Sequence, residues 1–463
     1  MADSVWQVTN LTALVGLVAH SPCDPGAVFW GLTNTSSGRN SSLVFDEPSR
    51  VTGAAPSKDT GGIDMLKRSG SLVLGTIALV SLAAGSAYAA ACGGLPCQCG
   101  TSAPAFLSFT TSLGSGNCGS VVNSSGSSLL PLGCNNLYTG GGGSSVPPIT
   151  SPDSGNTKYK VKSCRGKCLT LGAASASDTG SNRNCSATGC LYGAPLPVIS
   201  AASVCVINTV AQPAGGNARC DSGTMKTNIP LTSAINLTFD VLQNRPGTQP
   251  CPLCLAGACL GDSSHDGIDC TTDSDCGSGT CATGNTCHGG PNNGMACTPG
   301  TQLVTGPQWP TSQDCPPPPP FIGNLPIPYT LTTGTAAKTA VDEPSQTNVF
   351  CGFCSDPTSA TFRNPPVACT SDADCAAFTT GCGGNPCTAC KQAHGGAFRK
   401  PSARTITEIG APAGAISTGG SPASATLASV FCIPPTFNGT IDGVGDLPGP
   451  GAVSLQGQAQ LVQ

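Results

Sequence analysis

Cysteine limits what this chain can fold into. It has 29 cysteines in 463 residues, and all but Cys23 lie downstream of residue 89. Thiols at that density belong to chains that leave the cytosol and close their cysteines as disulfides, and the number beyond residue 89 is even, as complete pairing requires. Each cross-link contributes about 2–4 kcal/mol. That contribution matters because aromatic residues are only 5% of the chain and supply a thin core on their own.

The route out of the cytosol is written at residues 65–89, MLKRSGSLVLGTIALVSLAAGSAYA. Lys67 and Arg68 give a basic start, Ser71 to Gly85 an uncharged, mostly apolar middle, and Ala87-Tyr88-Ala89 a small-residue end, the order of a secretory signal peptide. The apolar run falls short of the roughly 20 residues that a spanning helix needs, so no transmembrane span is expected in the mature form. Translation is expected to begin at Met65, with residues 1–64 an upstream extension outside the fold. Cys92 follows three alanines and offers lipidation as an alternative, although the usual leucine three residues earlier is absent.

With 61 glycines and 40 prolines, helices are interrupted often and turns are plentiful. Period-two alternation marks strands instead. Ile235, Leu237, Phe239 and Val241 alternate with Asn236, Thr238 and Asp240, and Val453, Leu455, Ala459 and Leu461 with Ser454, Gln456, Gln458 and Gln460. Further strand candidates are SVCVINTV (203–210), LPIPYTLTT (325–333), RTITEI (404–409) and ASVFCI (428–433); the prolines of the second place it at a sheet edge. The expected fold is all-β: one or two disulfide-rich β-sandwiches, with β-rich regions at 90–250, 316–350 and 391–463, two small cysteine-rich inserts at 251–315 and 351–390, and long Gly/Pro-rich loops.

The inserts repeat one another. CPLC (251–254) precedes CTTDSDC (270–276), and CGFC (351–354) precedes CTSDADC (369–375), at nearly equal spacing. A shorter echo relates CLGDSSHDGIDCT (259–271) to CHGGPNNGMACT (287–298). The C-T-x-D-x-D-C pattern, with a Gly-rich stretch and more cysteines after it, resembles repeats in uncharacterised secreted cysteine-rich proteins of environmental bacteria. It is also similar to the start of the Dickkopf N-terminal cysteine-rich motif and, more loosely, to whey-acidic-protein modules. The match covers about seven residues twice, and what it implies is a disulfide knot.

Cys251, Cys254, Cys270, Cys276, Cys351, Cys354, Cys369 and Cys375 are accordingly read as structural disulfide candidates rather than as redox or zinc centres. Asp266, Asp269, Asp273 and Asp275, crowded together with Asp262 and His265, are calcium candidates, set against the ordinary use of Asp to bond local backbone in turns; no other cofactor is expected. Lys158, Lys160 and Lys162 alternate along a strand and put three cations on one face, a candidate polyanion surface, or an edge strand protected by lysine. A net charge of −4 and only 10% charged residues indicate no nucleic-acid partner. With three histidines beyond the signal and no G-x-S-x-G, H-E-x-x-H or P-loop pattern, the expectation is a secreted or cell-surface structural or adhesive protein without catalytic activity, partnered by itself or by a cell-surface polysaccharide. An extracellular polyanion-binding module and an exported enzyme are the alternatives.

Overall fold

The computed structural model describes residues 95–112, 116–140, 149–150, 156–174, 186–199, 203–237, 250–300, 310–340, 348–393 and 404–463. The signal peptide, Cys92, Phe239, Val241 and His394 lie outside them.

Alternation of apolar and polar side chains gives a strand one dry face and one wet face, and eight such strands here form a wall. They are β1 (Phe106–Thr111), β6 (Asn156–Arg165), β7 (Cys168–Ala173), β10 (Gly215–Arg219), β11 (Met225–Leu237), β16 (Phe321–Thr332), β22 (Ala423–Ile433) and β23 (Gly449–Val462). Each pairs antiparallel with the next, and β1 pairs with β23 as well as with β6, so the wall closes on itself. The closure is narrowest between β16 and β22, where the register pairs Thr332 with Ala428. Pro326 and Pro328 of β16 have no N–H to give along that open edge.

The dry faces point inward. Leu107, Phe109, Tyr159, Leu169, Ile229, Leu231, Tyr329, Leu427, Leu455 and Leu461 share one buried core. At its centre the rings of Tyr329 and Phe431 meet edge to face, 5.5 Å between centroids. Two hydroxyls here find partners: Thr157 Oγ1 donates to Tyr192 Oη at 3.0 Å, and Tyr159 Oη donates to the Asn228 carbonyl at 3.3 Å. Burial raises the Tyr192 phenol to about 12 and pushes those of Tyr159 and Tyr329 higher still.

Two flaps extend the wall. β9 (Ser203–Val210) pairs with the second half of β11 and carries β8 (Leu196–Ile199), while β4 (Asn136–Thr139) lies against the start of β23 and carries β5 (Ile149–Thr150). A second sheet, in the order β17 (Thr335–Ala340), β21 (Arg404–Ile409), β2 (Asn117–Asn123), β3 (Ser128–Gly133), packs over the outside of the wall. Val121, Leu132 and Ile406 from this sheet meet Tyr138, Val430 and Ala452 in a separate small core. The protein is therefore all-β and disulfide-rich, with sheets stacked face to face.

Disulfides brace this frame. Cys97–Cys164 and Cys99–Cys220 tie the segment ahead of β1 to the barrel, Cys118–Cys134 closes β2 onto the turn after β3, and Cys205–Cys251 and Cys351–Cys432 fasten the two inserts to β9 and β22. No cysteine among the described residues is free.

The packed centre makes a quantitative prediction. Tyr329→Ala should destabilise the barrel by about 3–5 kcal/mol, the usual cost of deleting a buried aromatic ring, read from the midpoint of denaturant unfolding; unchanged stability would show that the barrel interior is not close-packed.

Candidate functional site

The cysteine-rich inserts are assembled from one small unit. The first insert contains β12 (Leu253–Leu255), β13 (Ala258–Leu260), β14 (Thr280–Ala282) and β15 (Thr286–His288); the second contains β18 (Asn348–Ser355), β19 (Ala368–Ser371) and β20 (Ala389–Lys391). Each C-T-x-D-x-D-C motif winds one helical turn, at Asp273–Cys276 and Asp372–Cys375.

Both motif aspartates are used to hold that turn. Asp275 Oδ2 accepts from the N–H groups of Thr271 and Thr272 at 2.8 and 3.0 Å, as Asp374 Oδ2 does from Thr370 and Ser371 at 2.8 and 3.1 Å. These bonds favour the charged form and hold both carboxyls below their ordinary range. Asp273 Oδ1 accepts from the Cys281 N–H at 2.8 Å, and Asp372 Oδ1 from the Cys390 N–H at 2.7 Å. Cys281 and Cys390 are in turn the disulfide partners of the motifs' first cysteines, Cys270 and Cys369, while the last cysteines, Cys276 and Cys375, bond Cys259 and Cys354.

The outer cysteines of a unit stand opposite each other on paired strands, Cys259 facing Cys281 and Cys354 facing Cys390. They do not bond each other; each bonds a cysteine of the C-T-x-D-x-D-C motif, one the last cysteine, inside the helical turn, and the other the first, ahead of it. The shorter echo builds a third unit by the same rule: Cys254 faces Cys287, and the bonds are Cys287–Cys315 and Cys254–Cys297. Its fourth cysteine comes from upstream, and Asp314 takes the place of Asp275 by accepting from the Thr298 N–H at 2.9 Å. The counterpart of Cys354 is thus Cys259, a shift from the alignment of CPLC with CGFC. Matching backbone bonds show it: Cys259, Cys287 and Cys354 donate to the carbonyls of Ile268, Met295 and Val367.

This geometry disperses the calcium candidates. Asp273 and Asp275 bond different stretches of backbone, Asp266 Oδ1 lies 3.5 Å from Nδ1 of the buried His288, and Asp269 sits where the chain bridges to Ala258. Asp262 is occupied by Ser264 and Ser278, which lower its pKa. Among the described residues the close groups of potential metal ligands are all cysteine sulfurs, and those sulfurs are disulfide-bonded.

Asp262, Ser264 and His265 also lie together, but not as a catalytic relay. Ser264 Oγ (2.9 Å) and Asp262 Oδ2 (3.2 Å) both approach His265 Nδ1, and Ser264 Oγ donates directly to Asp262 Oδ1 at 2.6 Å. A relay needs the acid and the nucleophile on different ring nitrogens. A groove of about 520 Å³ lies elsewhere, on the outer wall, where Phe321, Phe437, Asn324, Thr232 and several prolines line it without an ionisable side chain.

The lysine candidates do share a face. Lys160 and Lys162 are exposed on the outside of β6, and Lys158 places its ammonium 5.0 Å from the centre of the Phe106 ring. The stem of Lys162 crosses β7 at Gly172, where a Cβ would leave it no room. Lys226 of β11 pairs with Asn217 of β10, which pairs with Thr170 of β7, so its side chain joins the same outer surface. Arg219 forks onto Asp221 at 3.0 and 2.7 Å, with Lys167 at 3.9 Å. Leaving tyrosines and cysteines aside, the ionisable side chains on the eight barrel strands are Lys158, Lys160, Lys162, Arg165, Arg219 and Lys226, all cations on neighbouring strands.

Comparison of the chain with models of protein families, with curated proteins and with solved structures finds no match in any of the three.

The aspartate geometry is testable. Asp273→Ala and Asp275→Ala should each lower the thermal midpoint in calcium-free buffer, while added calcium leaves the wild-type midpoint where it was; a saturable rise with calcium would contradict the turn assignment.

Proposed function

We propose that the mature chain is an extracellular adhesive protein without catalytic activity, which holds an acidic polysaccharide or similar polyanion against the outer face of β6, β7, β10 and β11. The observation that carries this reading is the charge of the barrel wall: in a chain of net charge −4, its strands carry only cations, and these lie on adjoining strands. One exposed cation contributes little in water. Several on a rigid face act together on a polymer, with an attraction that salt weakens.

The remaining features agree with such a role. The disulfides fit an oxidising exterior, and no described helix is long and apolar enough to cross a membrane. The barrel keeps its apolar residues inside and polar ones such as Gln456, Gln458 and Gln460 outside, the reverse of a membrane-spanning barrel. Phe106, the aromatic beside the lysines, is half-buried and lies under the Lys158 ammonium. Duplicated disulfide units suit a load-bearing exterior protein, because each keeps its shape without a large core.

On immobilised heparin, taken as the acidic polysaccharide, the protein should be retained in low salt and released as salt rises through about 0.15 M, where the screening length is near 8 Å. The triple variant Lys158→Ser, Lys160→Ser, Lys162→Ser should pass through unretained with its thermal midpoint unchanged. Equal retention of the variant would refute the assignment of this face.

A further inference from the structure

We propose that Glu408 is an acid-tightened latch between the two packed sheets, docking the four-stranded sheet on the barrel when its carboxyl carries a proton and loosening that sheet as pH rises. Glu408 is fully buried. It lies on β21, between Gly119 of β2 and Ala336 of β17 in the register, with its side chain turned toward the barrel wall. Gly119 makes room for it, because a Cβ there would come within 2.6 Å of Glu408 Oε2.

Glu408 itself reaches across the sheets by a single hydrogen bond. Ser454 Oγ, on β23, donates to Glu408 Oε2 at 2.6 Å, and Oε1 is buried without a partner. Around it the small core consists of Val121, Leu132, Tyr138, Ile406, Val430 and Ala452. A neutral carboxyl is tolerable there; a carboxylate with one bare oxygen is not, because its charge has lost water and gained one donor.

Few groups nearby could compensate. β2, β3, β22 and β23 present no ionisable side chain other than disulfide-bonded cysteine. β4 presents the Tyr138 phenol, which accepts from the Gly133 N–H at 2.9 Å. β17 presents Lys338, half-buried and two residue pairs along from Ala336, with its own charged form disfavoured by burial. Lys338 leaves Glu408 Oε1 bare. Burial accordingly raises the Glu408 carboxyl to about 8, against the opposing effect of the Ser454 hydrogen bond.

The sign follows from linkage. A carboxyl whose value is raised by folding stabilises the docked state fully below its ordinary value of 4.5, and this contribution is lost as pH rises through about 8. The opening equilibrium of the small sheet therefore gains about tenfold per pH unit across that window and levels off above it. The strands β7 and β10, which pair with neither β22 nor β23 and lead into no strand of the small sheet, are not part of this equilibrium.

Hydrogen exchange of the full chain, followed by mass spectrometry from pH 5 to 9 and corrected for intrinsic exchange, tests the latch. Protection of β2 and β21 should fall about tenfold per unit up to about pH 8, with β7 and β10 unaffected. Glu408→Gln should abolish the slope. Ser454→Ala removes the bond that favours the charged form, so its levelling point should move to higher pH, an effect that a merely structural role for Glu408 would not produce. A pH-independent wild type, the same slope in Glu408→Gln, or an unmoved levelling point in Ser454→Ala would overturn the proposal.

Discussion

The pairing of β1 with β23 is the contact on which the rest of the architecture depends. It joins the first described strand to the last, six registered pairs from Phe106–Val462 to Thr111–Gly457, and it turns an open sheet into a barrel. Closure removes the exposed edges that an eight-stranded sheet would otherwise present, save along β16 beside β22, and it gathers the inward side chains into one core. A chain with few aromatics can then bury Tyr159, Tyr192 and Tyr329 completely in one place.

The inserts are solved by covalent means instead. Each four-cysteine unit has too few apolar side chains to bury, so two crossed disulfides and hydrogen bonds from aspartate to backbone substitute for a core. The unit works in three settings, once with its fourth cysteine supplied from upstream and a plain turn in place of the helical one, because its geometry depends on a two-strand ladder and one turn and not on chain order. Cys205–Cys251 and Cys351–Cys432 then fasten the inserts to the barrel at its β9 and β22 strands.

Parts of this were legible in the sequence. RTITEI coincides with β21, SVCVINTV with β9, and the glutamine alternation near the C-terminus with β23, because in each the dry and wet faces differ in residue type. β11 begins ten residues before the stretch that alternation marks, since Thr227 and Ser233 occupy buried positions and blur its pattern. β10 is short and glycine-rich, with Gly215 and Gly216 leaving no side-chain pattern to read. Closure of the barrel pairs residues more than 340 positions apart, and no local periodicity reports it. The lysine face could be read from spacing along β6, but the contribution of Lys226 and Arg219 depends on which strands become neighbours. Glu408 was hidden for a related reason: RTITEI reads as a strand with polar residues, and only the second layer shows that its glutamate points into a core.

Disulfide mapping by mass spectrometry of the unreduced protein tests most directly whether the opposed cysteines of each unit bond the cysteines of the C-T-x-D-x-D-C motif and not each other. The account predicts Cys259–Cys276 with Cys270–Cys281, and Cys354–Cys375 with Cys369–Cys390. Direct Cys259–Cys281 or Cys354–Cys390 bonds, or a substantial population of free thiols, would contradict it.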